Sequence, residues 1–393
     1  MQKLLLLFSR LIVQFSPKSI KVKFKGLSLL TESLVLIFKV MAVIKPRRID
    51  TKEKGKKAKY SEGAVPGSSK LSGVNKTFLL GALPYSQENY ENVKLMLGQM
   101  NMSELKPTFS ADIKMYIYII GKCYSTCKYP CIFGSGHSPW TEDCKLLTVG
   151  DARRLWTEYM AAGGKGTGQK FGSFVNEILV QYPDETLLLD ILNFPELHVM
   201  LGLVQKLLDY IKLASSTSFG EAVLKALNLT QTFHRGQKGL NGNACKKLLE
   251  NTDCITIMSH SLPDSCDKVK IAAATKTLSL LNDVVNSSFG VLVKEGWEQN
   301  IQDFCASYRA LPMISYPPKF HLVESHLEQF LRRRWSQDSS YEGFGLGYWS
   351  EQPFEALHHK FEEGTFELVY GNTSDYHAGP GQLGGTRTPN PLR

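Results

Sequence analysis

The stretch LHVMLGLVQKLLDYI, Leu197 to Ile211, carries a stripe of Leu197, Leu201, Val204, Leu208 and Ile211. These positions recur at i, i+4, i+7, i+11 and i+14, the spacing of one face of an α-helix. The same periodicity predicts further helices at 219–227, 244–250, 269–285, 296–310 and 320–334, and a last one from Glu351 to Glu363. From Thr148 onward the chain therefore reads as helical. Before that point the pattern is mixed. Leu34 to Ile44 is a Val- and Ile-rich apolar run that reads as a buried strand, and Thr77 to Leu83 reads as a second. Glu88 to Met102 has helical spacing, and Pro107 to Ala111 leads as a third strand into Asp112. The expected fold class is α/β plus all-α: a mixed sheet with acids at its strand ends, interrupted by a large helical insertion.

Composition sets the bounds. The chain has 393 residues, 43% of them hydrophobic, enough for one large or two ordinary domains with a filled core. The formal charge of +9 is unevenly spread. Between Lys45 and Lys59 eight basic residues, Lys54, Lys56 and Lys57 among them, face only Asp50 and Glu53. Such a run suits a solvated loop or a phosphate-binding or nuclear-import patch. Eight cysteines at irregular spacings do not form a disulfide framework. No stretch of about 18 apolar residues suggests a membrane span, and Arg10, Lys18, Lys21, Lys23 and Lys25 break the apolar start that hints at a signal peptide, so secretion is not expected. Gly379 to Arg393 is rich in turn formers and reads as a disordered tail.

The chemistry-bearing residues come in a particular order: Asp112, Cys131 behind Pro130, His321 with His326, and Glu351 and Glu355 on the last helix. Two-metal phosphoryl transfer needs carboxylates from separate elements around two Mg2+ ions roughly 3.5–4 Å apart. Asp112 and Glu355 are candidates for two of them, with Mg2+ or Mn2+ as cofactor. Cys131, His321 and His326 are a softer set suited to a structural, tetrahedral Zn2+.

At these residues the chain resembles the DDE transposases of mobile elements. The resemblance rests on Ser72-Gly-Val74, Glu88 to Lys94, Ser110-Ala-Asp112, Tyr129-Pro-Cys131, Pro195 to His198, Asn241 to Leu249 and Ser350-Glu-Gln352 with Glu355 and His358. The pattern is similar to the catalytic core of Transib-type transposases and the V(D)J recombinase, and covers about residues 38–361. It implies an RNase H-like mixed sheet, DNA as partner, a nuclear location, and a homodimer acting on two element ends. Asp112 would be the second catalytic acid and Glu355 the third, with Glu351 one helical turn earlier as the competing choice. Cys131, His321 and His326 would hold zinc, and Lys246 and Lys247 would touch DNA. The chain departs from the pattern twice. The second zinc cysteine falls on Gly134, leaving His137 or Cys144 to replace it. No acid stands at a glycine turn before Phe38, Glu32 being the nearest. The expectation is a transposase-derived DNA-binding protein with impaired chemistry; the alternative is a helical protein-interaction scaffold.

On this reading the organisation is a leader at 1–30, an RNase H-like first part at 31–147 with its basic loop at 45–76, a helical insertion at 148–335, a closing helix at 336–370 and a tail at 371–393. Arg332, Arg333 and Arg334 are expected to cap a helix end or to touch DNA backbone.

Overall fold

The computed structural model describes residues 19–22, 34–38, 78–83, 89–99, 107–124, 127–137, 144–234, 237–350 and 368–371. The chain divides into two units. In the first, β1 (Ser19–Val22) pairs antiparallel with a strand at Leu368–Gly371 near the other end of the chain, Ser19 opposite Gly371.

The second unit is mainly helical. Its strand content among the described residues is two antiparallel pairs. β2 (Leu34–Phe38) lies against β3 (Phe78–Leu83) with a register shift between Leu36 and Ile37. The other pair joins β4 (Thr232–His234) to β5 (Gln237–Gly239); the strand at 368–371 is β6. The helices are α1 (Tyr90–Gln99), α2 (Ile113–Ile120), α3 (Val149–Ala161), α4 (Leu188–Ile191), α5 (Glu196–Ala214), α6 (Thr217–Ala226), α7 (Gly242–Glu250), α8 (Thr252–Ser259), α9 (Lys268–Ser288), α10 (Trp297–Arg309), α11 (Pro318–His321) and α12 (Glu328–Gln337). A π-helical turn, Leu322–Leu327, joins the last two.

This overturns the expected RNase H-like mixed sheet. Among the described residues β2 and β3 pair only with each other, and Pro107–Ala111 forms no strand: Phe109 makes an isolated parallel bridge to Leu192. Asp112, expected at a strand end, is instead an N-cap. Its carboxylate accepts the Met115 amide at 2.7 Å, satisfying one of the donors that a helix start leaves open. The following IKMYIYII is rich in β-branched residues, yet it is helical. The Asp112 cap starts it, and Gly121 at φ +81° stops it by returning amides to the last carbonyls. Burial of Ile113, Tyr116, Ile117, Ile119 and Ile120 overrides their weak helix preference.

Around α5 the prediction from periodicity is nearly right. Val204, Leu208 and Ile211 are buried as expected, but Leu197 and Leu201 are only partly so, and Val199, Met200, Leu203 and Leu207 take their place. The reason is that α5 is apolar over more than one face and packs against α6, α7, α9 and α11 together. The longest helix, α9, spans about 31 Å at 1.5 Å per residue and packs against α5, α7, α8 and α10. One continuous apolar core runs from Val93 to Trp349. The predicted helix beginning at Glu351 lies outside the described residues.

Candidate metal centre

The segment after α2 turns back on itself. Gly134 bridges Leu146 antiparallel, Ser135 N–H donates to Lys145 O at 2.9 Å, and Leu147 N–H donates to Phe133 O at 3.0 Å. This return brings Cys144 beside the chain that carries Cys131. Their sulfurs are 3.6 Å apart, and the Gly136 amide donates to Cys144 Sγ at 3.0 Å.

The histidines arrive from the far end of the core. His321 and His326 are five residues apart. On an α-helix that spacing is about 500° of rotation, which leaves the second ring about 140° from the first. The π turn at Leu322–Leu327 removes the mismatch, because its i to i+5 bonding stacks residues five apart on one face. The two rings stand edge to face with centroids 5.0 Å apart, and both side chains are buried. Each Nδ1 has its own partner: Ser325 Oγ at 3.2 Å for His321 and Gln329 Oε1 at 3.0 Å for His326. These bonds fix the ring orientation and turn each Nε2 toward the sulfurs. His326 Nε2 is 3.1 Å from Cys131 Sγ, a contact between residues 195 apart in sequence.

One donor atom from each of Cys131, Cys144, His321 and His326 therefore lies within 4.8 Å of the others. A tetrahedral Zn2+ with ordinary bond lengths would set sulfur to sulfur at about 3.8 Å and sulfur to nitrogen at about 3.6 Å. The observed sulfur pair meets that spacing, and the Cys2His2 donor set is the one a structural zinc takes. Burial pushes the Cys131 thiol up. Hydrogen bonds from Cys144, His321 and His326 outweigh it and hold this thiol well below its usual range. Cys144 is pushed up, by its hydrogen bond to Cys131 and by burial. The two shifts run in opposite directions because Cys144 Sγ donates to Cys131 Sγ.

Two glycines make room. A Cβ at Gly134 would lie 2.5 Å from Cys144 Sγ, and one at Gly136 would lie 2.8 Å from His321 Nε2. Position 134, where the resemblance places a second cysteine, is thus filled from the side by Cys144. His137, the other substitute, is outside the cluster, its ring edge-on to Tyr129 at 5.2 Å. Lys122, which the sequence reading passed over, is 1% exposed and lies beneath the Cys131 segment. Its ammonium donates to the carbonyls of Tyr129 at 3.0 Å, Gly134 at 3.3 Å and Cys131, with the Phe174 ring 5.2 Å away. Burial pulls its pKa down, against the opposing charges of Cys131, Cys127 and Cys144.

The acidic candidates are not gathered in this way. Among the described residues the Cys and His group is the one ligand cluster, and Asp112 is committed to its cap. Glu351 and Glu355 lie outside the described residues. The chain up to Ser350 is held by side-chain bonds: Ser110 Oγ donates to Trp349 O at 3.0 Å, Asn193 Nδ2 donates to Ser110 Oγ at 2.7 Å, and the buried Glu196 accepts from Ser350 Oγ. Lys246 and Lys247 are exposed on α7; Lys54, Lys56 and Lys57 lie outside the described residues.

The three arginines after Leu331 are used internally. Arg333 grips Asp190 with two bonds of 2.8 Å, and Arg332 pairs with Glu328 and Glu298. Arg334, pulled down to about 10 by burial, donates to Asn193 Oδ1 at 2.9 Å and Asp190 O at 3.0 Å. No described helix is long and apolar enough to cross a membrane.

Comparison with protein-family models finds none that matches, and comparison with curated proteins finds no match either.

Proposed function

We propose that the chain is a zinc-clipped helical DNA-binding protein, derived from the DDE strand-transfer class with its chemistry impaired. The observation that carries this reading is the convergence of Cys131 and Cys144 with His321 and His326, contributed by distant segments through a π turn and a glycine-lined return. The resemblance implies three of these four residues as zinc ligands. Zn2+ held by Cys131, Cys144, His321 and His326 would act as a structural cross-link between the segment after α2 and the α11–α12 arm, the Cys2His2 set supplying the four donors that such a site uses.

DNA is the proposed partner because the basic run at 45–59 and the exposed Lys246 and Lys247 offer cations for phosphate; a nuclear site of action belongs to the same proposal. Strand transfer is left out of it. That chemistry needs converging carboxylates, and no acid stands at a glycine turn before Phe38 to serve as the first.

The test is duplex binding by the purified chain across a salt series. Neutralising about six phosphates gives a log–log slope of about −5. Lys246→Ala with Lys247→Ala is expected to flatten the slope by about 1 to 2 while zinc content stays constant. A zinc-loaded protein with no affinity for duplex would remove the DNA proposal and favour the protein-interaction scaffold.

A further inference from the structure

Lys122 is a buried ammonium that no carboxylate neutralises among the described residues. Burying a charge is expensive, and an apolar side chain of similar length is often the more stable occupant of such a place. What the charge does here is specific. A lysine has three N–H donors, and all three reach backbone carbonyls of one short segment, those of Tyr129, Cys131 and Gly134. That segment includes the ligand Cys131 and the glycine against which Cys144 rests. Lys122 is itself held in place: its amide donates to Ile117 O at 3.0 Å to close α2, and it bridges Phe174 on the opposite side.

We infer that Lys122 is a positioning residue of the metal centre, its ammonium gathering the carbonyls of Tyr129, Cys131 and Gly134 so that the segment holds its metal-receiving shape before the ion arrives. This rests on the zinc reading above. The ammonium does for this segment what the ion does for the four ligands: it supplies a central positive charge around which oxygen dipoles converge.

The test uses Co2+ as the probe, since its visible bands report both thiolate ligation and tetrahedral geometry. Lys122→Gln and Lys122→Met are compared with the unaltered chain, with helical content followed by circular dichroism. The expected result is retained helix, Co2+ affinity lowered about tenfold or more, as for other residues that orient ligands, and a changed visible envelope. Equal affinity and an identical envelope in the variants would overturn the inference and leave the zinc reading standing. No cobalt uptake by the unaltered chain would instead end the zinc reading, and this inference with it.

If the variants lose their fold, amide exchange in the unaltered chain decides. The peptide spanning 129–136 is expected to be protected both with and without Zn2+. Protection that appears only with the metal would show that the ion, and not Lys122, shapes the segment.

Discussion

A methyl group added at Gly134 would meet Cys144 Sγ at 2.5 Å and Lys145 O at 2.6 Å, and the second of these is backbone that cannot rotate away. Gly134→Ala is therefore expected to push the Cys144 strand off the Cys131 segment. Zinc affinity should fall about tenfold or more and stability by about 1–3 kcal/mol, read by competition with a chromogenic chelator and by denaturant titration. Unchanged affinity would mean that Cys144 is not a ligand. Two further cysteines make a prediction about pH. Cys245 and Cys305 are buried thiols pushed up to about 12, by burial in both and by Glu324 as well at Cys305. A folded pKa above the unfolded value of about 8.5 means that their contribution is complete below that pH and is lost as pH rises toward 12. At pH 10 each should cost about 2 kcal/mol of stability, and Cys245→Ala should lessen that alkaline loss, as urea melts at pH 7 and pH 10 would show. An unaltered alkaline slope in the variant would contradict the assignment. Legibility differs at this scale. Cys131, His321 and His326 stand out in the sequence as soft ligands, whereas Lys122 looks like any lysine until the fold closes over it.

The π turn is the element on which the site depends. The spacing of five from His321 to His326, which the turn at Leu322–Leu327 accommodates, is one residue more than an α-helical repeat. Deleting Ser325 should convert the turn to α-helix with the rings four residues apart, still on one face. Zinc binding is then expected within about tenfold of the original, the loss reflecting the missing Ser325 bond to His321 Nδ1. Inserting an alanine after Ser325 should instead separate the rings and abolish binding. Isothermal titration with Zn2+ compares the two; abolition by the deletion would mean that placing the two rings on one face is not what the site requires of this turn. A His-x4-His spacing in a helical pattern reads, by α-helical arithmetic, as two different faces, so the sequence alone cannot show this device. The Asp112 element was misread for a related reason. A capping aspartate before Ile-Lys-Met-Tyr-Ile-Tyr-Ile-Ile and a strand-end aspartate after an apolar run share the same local pattern, and only the Gly121 stop and the burial of Ile113, Tyr116, Ile117, Ile119 and Ile120 separate them.

Across the whole molecule, helices with one dominant period are readable: 244–250 and 269–285 lie inside α7 (Gly242–Glu250) and α9 (Lys268–Ser288), and 296–310 overruns α10 (Trp297–Arg309) by one residue at each end. The expected mixed sheet was not there, because pairing depends on which strands meet, and β2 and β3 meet only each other among the described residues. The approach of Cys144 to Cys131 depends likewise on the Gly134–Leu146 bridge, a tertiary event with no periodic signature. The cluster joins the Cys131–Cys144 return to the α11–α12 arm, so on the proposed zinc reading the metal adds to the stability of the core. At free zinc 100-fold above its dissociation constant the gain is about 2.7 kcal/mol, and a chelator should lower the melting temperature accordingly. The most direct measurement is the zinc content of the purified chain beside Cys131→Ser, Cys144→Ser and His326→Ala. The account predicts about one zinc per chain in the unaltered protein and none in each variant. A metal-free chain that takes up no Zn2+ and melts at the same temperature with and without it would contradict the account.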